Sequence, residues 1–360
     1  MFGIAILLVA GLALLGLGGE LLVRGASKLA ISTGLSPLVV GLTVVAFGTS
    51  APELAVSVQA VVEGQTDIAM GNVVGSNVFN VLVLLGLSAL VTPLTVTAQI
   101  VRQEVPVMIA VSFLLYGFAV NGTISRVEGV VLFSLLVIYT FVLVRQSRRE
   151  SQGVGAEYGK ERHVAAKSWA DTMLGQGALI AAGLALLVLG ARWLVEGATD
   201  IARSLGVSEL VIGLTIVAAG TSLPEVAASV TAVLRGQRDI AIGNAVGSNT
   251  FNILSVLGLS AMVAPAPLLV SSDLLEFDLA VMVGAAMVTL PICVTGQVAR
   301  WQGGLLLMYY ASYTTYLVLD AQESGVPSTF GWVIRSLVVP ISVFVILVAA
   351  VRSRGRHARN

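Results

Sequence analysis

Two glutamates, Glu53 and Glu225, each lie in the middle of a long apolar run of the sequence. An ionised carboxylate at the centre of a bilayer costs roughly 3 kcal/mol, so a chain with two of them needs compensation. No Lys or Arg occurs between residues 43 and 62 or between residues 215 and 233, which excludes a salt bridge within either run. The carboxylates are therefore either protonated or balanced by a bound cation.

The two glutamates occupy equivalent places in a repeated stretch. Every residue of Gly41–Asn80 maps onto Gly213–Asn252 by adding 172, without a gap. Over the longer stretches 36–90 and 208–262, 37 of 55 positions are identical. Each copy carries GTS-x-PE in one apolar run and GN-x-VGSN-x-FN in the next. Whatever chemistry one copy performs is therefore present twice.

Each GTS-x-PE motif combines a helix break with oxygen donors. Pro52 and Pro224 lack an N–H and clash with the carbonyl four residues earlier, which predicts a kink at each proline. Carbonyls should become free around residues 46–49 and 218–221, where broken backbone at membrane depth lines a cavity or meets a ligand. Helical spacing places further hydroxyl groups on the faces of the two glutamates, those of Thr49, Ser50, Thr221 and Ser222.

The second run of each copy carries a ladder of polar side chains at i, i+4 spacing. Interhelical hydrogen bonding explains one set as well as cation binding does, namely Asn72, Asn77, Asn244 and Asn249. We assign the other set to the lining of a cation site: Ser76, Asn80, Ser248 and Asn252. All of these donors are oxygens, which suit hard cations. Sequence physics alone does not choose among Ca²⁺, Na⁺, Mg²⁺ and H⁺.

The composition indicates an integral membrane protein, whose partner is the lipid bilayer in which it is embedded. The 360 residues are 56% hydrophobic and 11% charged, with a mean hydropathy of +0.94, whereas soluble domains are about a quarter charged. Long continuous apolar runs predict helices rather than a barrel. The formal net charge of zero suggests no nucleic-acid partner. With one cysteine, Cys293, and no histidine in an apolar run, soft-metal sites and cofactors are not expected.

Hydropathy predicts eleven spans: Phe2–Val23, Pro37–Val62, Asp67–Val91, Glu104–Val120, Ile124–Val144, Met173–Val195, Ser208–Leu234, Asp239–Ala264, Leu274–Thr295, Trp301–Leu319 and Gly331–Val351. The chain then divides into an N-terminal transmembrane half (1–144) with the first repeat (36–90), a cytoplasmic loop (145–172), a C-terminal half (173–320) with the second repeat (208–262), and an extra helix with a basic tail (321–360).

Basic residues predict the orientation. With the N-terminus outside and the C-terminus in the cytoplasm, the cytoplasmic segments hold 16 Lys and Arg residues and the outer segments hold 4. The two repeat copies lie five spans apart, and five is odd, so they cross the membrane in opposite directions. This is an inverted-topology repeat, an arrangement that places a substrate site near the midplane of many secondary transporters.

The doubled GTS-x-PE and GN-x-x-GSN-x-x-N motifs resemble the alpha repeats of the cation/Ca²⁺ exchanger superfamily, and most closely its prokaryotic Na⁺/Ca²⁺ exchanger branch. The resemblance covers about residues 1–320. It implies an all-α polytopic fold, an inverted repeat of five helices each, in which long first and sixth helices slide across an eight-helix core. It also implies that the protein is no enzyme but exchanges Na⁺ for Ca²⁺ by alternating access, in the inner (plasma) membrane of a prokaryote.

By motif position, the resemblance also assigns roles. Glu53 and Glu225 match the central Ca²⁺ carboxylates, with backbone oxygens from Thr49 and Thr221. The Na⁺ sites would be completed by Ser50, Ser76, Ser222 and Ser248 with the carbonyls of Ala46 and Ala218, and the centre would be lined by Asn80 and Asn252.

The chain departs from the family pattern in two places. Family members often carry Asp at the position of Asn252, so ion stoichiometry and proton coupling are open. The eleventh span, Gly331–Val351, has no place among ten helices. A Ca²⁺/H⁺ or other cation/H⁺ exchanger is the first rival, but the proton-coupled pattern GNA-x-E is absent. A passive cation channel is the second rival. An intramembrane enzyme is a third, disfavoured because no HExxH motif occurs.

Overall fold

The computed structural model describes residues 2–155, 169–206, 212, 216 and 218–321. The first half forms helices α1 (Phe2–Thr33), α2 (Pro37–Thr49), α3 (Ala51–Val62), α4 (Thr66–Val91), α5 (Ile100–Ala119) and α6 (Arg126–Gly155). The second half forms α7 (Met173–Ser204), α8 (Leu223–Leu234), α9 (Arg238–Val263), α10 (Leu274–Val294) and α11 (Arg300–Ala321), with single turns at Trp169–Asp171 and Ala218–Gly220.

Seven of these helices are long and apolar enough to cross a bilayer, and the bent pair α2–α3 makes an eighth. Helices satisfy their backbone polar groups internally, as hydrocarbon requires. The predicted all-α integral membrane protein is therefore confirmed. Helix α8 has 12 residues, and the segment before it falls largely outside the described residues. The predicted eleventh span, Gly331–Val351, also lies outside them.

Several helices extend beyond the predicted spans. Helix α6 continues to Gly155, although the predicted span ends at Val144, because Arg, Gln and Glu are good helix formers outside the membrane. Helix α5 begins at Ile100 rather than Glu104. Hydropathy marks where a helix leaves lipid, and it does not mark where the helix ends.

Two helix starts are fixed by capping side chains. The Ser36 hydroxyl accepts the Val39 N–H at 3.2 Å, and Pro37 occupies the first position of α2, where its missing N–H is harmless. The Thr172 hydroxyl accepts the Gly175 N–H at 3.0 Å and starts α7. Ser36 thus fixes the start of α2, and Thr172 fixes the start of α7.

Two short antiparallel strand pairs join the halves. Strand β1 (Leu94–Thr95) pairs with β4 (Gln297–Val298), and β2 (Thr123–Ile124) pairs with β3 (Leu268–Leu269). Adding 174 converts β1 into β3 and β2 into β4, so one pairing is the image of the other. Because each pair joins a loop of one half to a loop of the other, the arrangement agrees with halves that lie antiparallel.

Helices α1 and α7 pack against each other along glycines. Each has 32 residues, about 48 Å at 1.5 Å per residue, which exceeds the roughly 30 Å of hydrocarbon. A Cβ on Gly11 would lie 2.9 Å from the Gly190 carbonyl oxygen, and one on Gly18 would lie 2.8 Å from that of Gly183. Since the partner number falls as the glycine number rises, the two helices run antiparallel, in backbone contact.

Helices α4 and α9 form the centre of the molecule. In the apolar 18-residue stretch of each helix, 78% of α4 and 83% of α9 is buried, compared with 33% of α1 and 22% of both α6 and α7. The polar ladders predicted on α4 and α9 are thus surrounded by protein. Polar side chains held away from both lipid and water must find partners among themselves or in a bound ion.

Candidate cation-binding site

The first repeat breaks where its proline predicts. Helices α2 and α3 meet at Ser50 with a bend of 43°. Ser50 has φ −80° and ψ 6°, outside the helical range, and Pro52 follows in the first turn of α3. Ser222 repeats this with φ −91° and ψ 5° before Pro224. Both breaks place a serine and a glutamate at the start of a new helix.

The carbonyls near the breaks differ between the copies. The Ala46 carbonyl still accepts the Ser50 N–H at 3.0 Å, and it also receives the Thr49 hydroxyl at 3.4 Å. The predicted freeing of this carbonyl is therefore wrong. In the second copy the Ser222 N–H donates to the Ala219 carbonyl at 3.2 Å instead, so this break has an i, i−3 bond where the first has an i, i−4 bond.

The two glutamates are fully buried and joined through the opposite repeat. The Ser50 hydroxyl donates to Glu225 Oε1 at 3.2 Å, and the Ser222 hydroxyl donates to Glu53 Oε1 at 3.1 Å. Both glutamates are 0% exposed. The antiparallel copies thus bring two carboxylates and two serines into one site.

An asparagine from the following helix holds each glutamate backbone in place. Asn72 donates to the Glu53 carbonyl at 3.1 Å and to the Ser57 hydroxyl at 2.9 Å. Asn244 donates to the Glu225 carbonyl at 3.1 Å and to the Ser229 hydroxyl at 2.9 Å. Ser57 and Ser229 did not figure in the sequence prediction, although each follows its glutamate by one helical turn.

The Asn244 side chain also gathers hydroxyls from both repeats. Its Oδ1 accepts the Thr49 hydroxyl at 3.2 Å and the Ser248 hydroxyl at 3.4 Å. Thr49, Ser248 and Glu225 therefore belong to one hydrogen-bonded cluster. Asn72 and Asn244, for which packing and binding were equally good explanations, act at least as packing residues through their amide nitrogens.

Wider π-helical turns begin at the two central asparagines. The turns span Asn80–Leu85 and Asn252–Leu257, equivalent stretches of α4 and α9. Such turns leave the regular i, i−4 pattern and are frequent at functional sites. The sequence did not reveal them, because both turns consist mostly of apolar residues and contain no Pro or Gly before Gly86 and Gly258.

The central asparagines differ in their contacts. The Asn252 amide nitrogen donates to Asn77 Oδ1 at 3.1 Å. The equivalent bond, from Asn80 to Asn249, is not made within the described residues, where both atoms are without a partner. Asn77 and Asn249 instead direct their amide nitrogens to the sulfur atoms of Met282 and Met108. The site is thus only approximately symmetric.

Several buried oxygens of this site have no hydrogen-bond partner in the part of the chain that the structure describes. They are Glu53 Oε2, Glu225 Oε2, Ser76 Oγ, Thr221 Oγ1, Asn80 Oδ1 and Asn252 Oδ1. Buried polar atoms are normally paired, so unpaired oxygens at one site indicate a missing ligand. A hard cation such as Ca²⁺ takes six to eight oxygens and suits this set.

No basic side chain among the described residues neutralises the two glutamates. The ion pairs recorded in that part of the chain are Lys28–Asp171, Arg203–Asp200 and Arg235–Glu20, all away from the site. No group of three or more His, Cys, Asp or Glu side chains in the described ranges forms a metal cluster. The donor set thus consists of two carboxylates and several neutral oxygens. When ionised, the two carboxylates together balance the charge of one divalent cation.

Fold and site together define a polytopic helical membrane protein built around a shared, carboxylate-containing oxygen site. The family model described as sodium/calcium exchanger protein matches residues 3–145 and 176–319. The chain therefore belongs to the sodium/calcium exchanger family, whose members are transporters rather than enzymes.

Individual relatives agree with this assignment. The chain is 40% identical over 273 residues to the inner membrane protein YrbG of Escherichia coli, covering 74% of this chain and 83% of that protein. It is 32% identical over 343 residues to the sodium/calcium exchanger MaX1 of Methanosarcina acetivorans, covering 87% and 97%. A solved structure of the sodium-calcium exchanger NCX_Mj superposes with a TM-score of 0.74 at 29% identity, covering 88% of this chain and 99% of that one.

Proposed function

We propose that the protein is a secondary antiporter that exchanges Na⁺ for Ca²⁺ across the membrane by alternating access. The observation that carries the proposal is the reciprocal bonding of Ser50 to Glu225 and of Ser222 to Glu53, which joins two uncompensated carboxylates in one buried site. MaX1 and NCX_Mj are both named as sodium/calcium exchangers and support the choice of ions.

The charge of the site explains why transport would be coupled. Two ionised carboxylates facing each other away from water are unstable without a cation. One Ca²⁺ or two Na⁺ ions neutralise them, so the loaded site can close to one side of the membrane and open to the other, whereas the empty site resists occlusion. Exchange then follows, because the carrier returns only with another cation in place.

The proposed ligands follow from their positions. The carboxylates of Glu53 and Glu225 would hold Ca²⁺ together with backbone oxygens of Thr49 and Thr221. The Na⁺ sites would use the hydroxyls of Ser50, Ser76, Ser222 and Ser248 and the carbonyls of Ala46 and Ala218. Asn80 and Asn252 would line the centre, where their Oδ1 atoms are unpaired among the described residues. We place the N-terminus outside and the C-terminus in the cytoplasm of a prokaryotic cell.

The test is Ca²⁺ uptake into proteoliposomes that are preloaded with Na⁺, K⁺ or choline. We expect uptake only from Na⁺-loaded vesicles, and loss of that uptake in Glu53→Ala and in Glu225→Ala. Asp273→Ala, which removes an exposed carboxylate, is the matched control and should transport normally. Equal uptake from choline-loaded vesicles would indicate a channel, and uptake driven by a pH gradient alone would indicate proton exchange.

A further inference from the structure

The charged residues of the long helices α1 and α7 are inverted between the repeats. Adding 172 converts Glu20 into Arg192, Arg24 into Glu196 and Lys28 into Asp200. The same shift converts Glu63, just after α3, into Arg235, just after α8. An acid thus replaces a base, or a base an acid, at each of these positions, although 37 of 55 positions are identical across the core repeat.

The positive-inside preference explains only part of this inversion. It accounts for Arg24, Lys28 and Arg235 at the predicted cytoplasmic face. It does not account for Glu20 near that face, because acidic residues contribute little to the preference, or for Arg192 toward the opposite face, which goes against it. A different constraint is therefore needed for these two residues.

In the structure, Glu20 forms an ion pair with Arg235. The pair joins α1 to the end of α8 at the predicted cytoplasmic face. The helices also touch closely here, since a Cβ on Gly19 would lie 2.5 Å from the Thr231 hydroxyl and 3.1 Å from the Ala227 carbonyl oxygen. At this face α1, a long helix, packs directly against α8, a helix that carries a site residue. We call such a contact closed, and its absence open.

The equivalent contact between α7 and α3 is open. Within the described residues no ion pair joins Arg192 to Glu63, the residues that correspond to Glu20 and Arg235; the Glu63 carboxylate instead accepts the Gln59 amide at 2.8 Å. Ala55 is exposed, whereas its counterpart Ala227 is half-buried against α1.

A cleft of about 680 Å³ lies beside this open contact, between α2 and α7. Its walls are apolar residues of α2, α7 and the first turn of α3, together with Arg192. The cleft and the missing ion pair are two signs of the same asymmetry, in which the repeats have nearly the same sequence but different contacts.

We propose that Glu20–Arg235 and Arg192–Glu63 are alternative latches, each of which closes the site at one face, and that only one is closed at a time. The proposal rests on the alternating access proposed above. Because α1 and α7 are in backbone contact along their glycines, a movement that brings Arg192 to Glu63 would draw Glu20 away from Arg235. The structure has the first latch closed and the second open.

The experiment measures which contact is open by the reaction of introduced thiols. In a Cys293→Ala background, Ala55→Cys and Ala227→Cys are matched reporters, and each is labelled with a maleimide in detergent. The intact protein should react faster at Ala55→Cys. Arg235→Gln should raise the labelling rate of Ala227→Cys about threefold, the effect expected for one partly exposed ion pair, and should lower that of Ala55→Cys by a smaller factor because the state that exposes Ala55 already predominates.

Three further variants make the result specific. Glu63→Gln should act in the opposite direction to Arg235→Gln and lower the Ala227→Cys rate, because it removes the latch of the state in which Ala227 is exposed. Arg235→Lys keeps the charge and should behave like the parent. The exchanged pair Glu20→Arg with Arg235→Glu should restore the parent rates. Unchanged labelling in Arg235→Gln, or no rescue by the exchanged pair, would overturn the latches.

The labelling result is separable from the proposed ions. Thiol reaction is measured without an ion gradient, so it reports the two contacts whichever cation is carried. Vesicle uptake independent of Na⁺ would remove the proposed exchange and leave the latches standing. Normal Na⁺-dependent uptake in the parent, with unchanged labelling in Arg235→Gln, would remove the latches alone.

Discussion

At the scale of single residues, the site depends on charge count more than on the number of oxygens. Glu53 and Glu225 bring the only two carboxylates among the predicted ligands. Each has one oxygen bonded to a serine of the other repeat and one oxygen without a partner among the described residues. Replacing one carboxylate by an amide keeps the shape and removes half of the charge.

We therefore expect Glu53→Gln and Glu225→Gln each to lower Ca²⁺ affinity by about 100-fold, since Ca²⁺ sites tune their affinity through ligand charge. The measurement is the Ca²⁺ concentration for half-maximal uptake into Na⁺-loaded vesicles. Because the serine bonds are reciprocal, the two variants should be affected alike. A strong effect from one glutamate with a near-normal response from the other would contradict a shared site.

The two central asparagines should respond differently to the same substitution. Asn252→Asp removes the donor to Asn77 and sets a carboxylate oxygen against the Asn77 carbonyl oxygen, now 3.1 Å from the amide nitrogen. Asn80→Asp breaks no bond among the described residues. We expect Asn252→Asp to cost about 1–3 kcal/mol of stability beyond Asn80→Asp. Thermal unfolding in detergent without Ca²⁺ measures the difference, and equal melting temperatures would contradict the observed asymmetry.

At the scale of helices, the contact between α1 and α7 requires glycine. Gly18→Ala would bring a methyl group to 2.8 Å from both the Gly183 carbonyl oxygen and the Leu187 nitrogen, so backbone must move. Gly16, two residues away and on the opposite side of the same helix, has nothing within 4 Å of its would-be Cβ and provides a matched control. We expect Gly18→Ala to cost about 1–3 kcal/mol and to slow exchange, while Gly16→Ala does neither.

Unfolding temperature and initial uptake rate test this pair of variants together. A Gly16→Ala protein that loses as much of either quantity as Gly18→Ala would show that α1 tolerates no added methyl group, whether or not the position contacts α7; helix propensity alone would favour Ala over Gly at both positions.

At the scale of the whole molecule, a bound cation should stabilise the fold, because the site draws ligands from both halves. A ligand at 100 times its dissociation constant adds about 2.7 kcal/mol to the free energy of unfolding. We expect Ca²⁺ to raise the melting temperature of the intact protein and to have no such effect on the Glu53→Gln, Glu225→Gln double variant. A similar rise in the double variant would place the stabilising ion elsewhere.

The sequence predicted the local features of the site better than its contacts. Pro52 and Pro224 predict their breaks, since a missing N–H acts within one helix. The π-turns at Asn80 and Asn252 have no local signal, because neither turn contains a Pro or Gly. The pairing of Asn252 with Asn77 depends on how the helices meet in space. Helix length was underestimated at Gly155, where polar helix formers continue a span beyond the membrane.

The strand pairs have a consequence for the origin of the architecture. Strand β1 pairs with β4 and β2 with β3, so every strand finds its partner in the other half. Two copies of a single five-helix chain, inserted in opposite orientations, could make the same pairings and the same serine–glutamate bonds. The two copies in such a homodimer have the same sequence. A glutamate in one copy therefore cannot correspond to an arginine in the other. Joining the halves in one polypeptide removes that restriction, so that equivalent positions of the two halves, which face opposite sides of the membrane, can carry different charges.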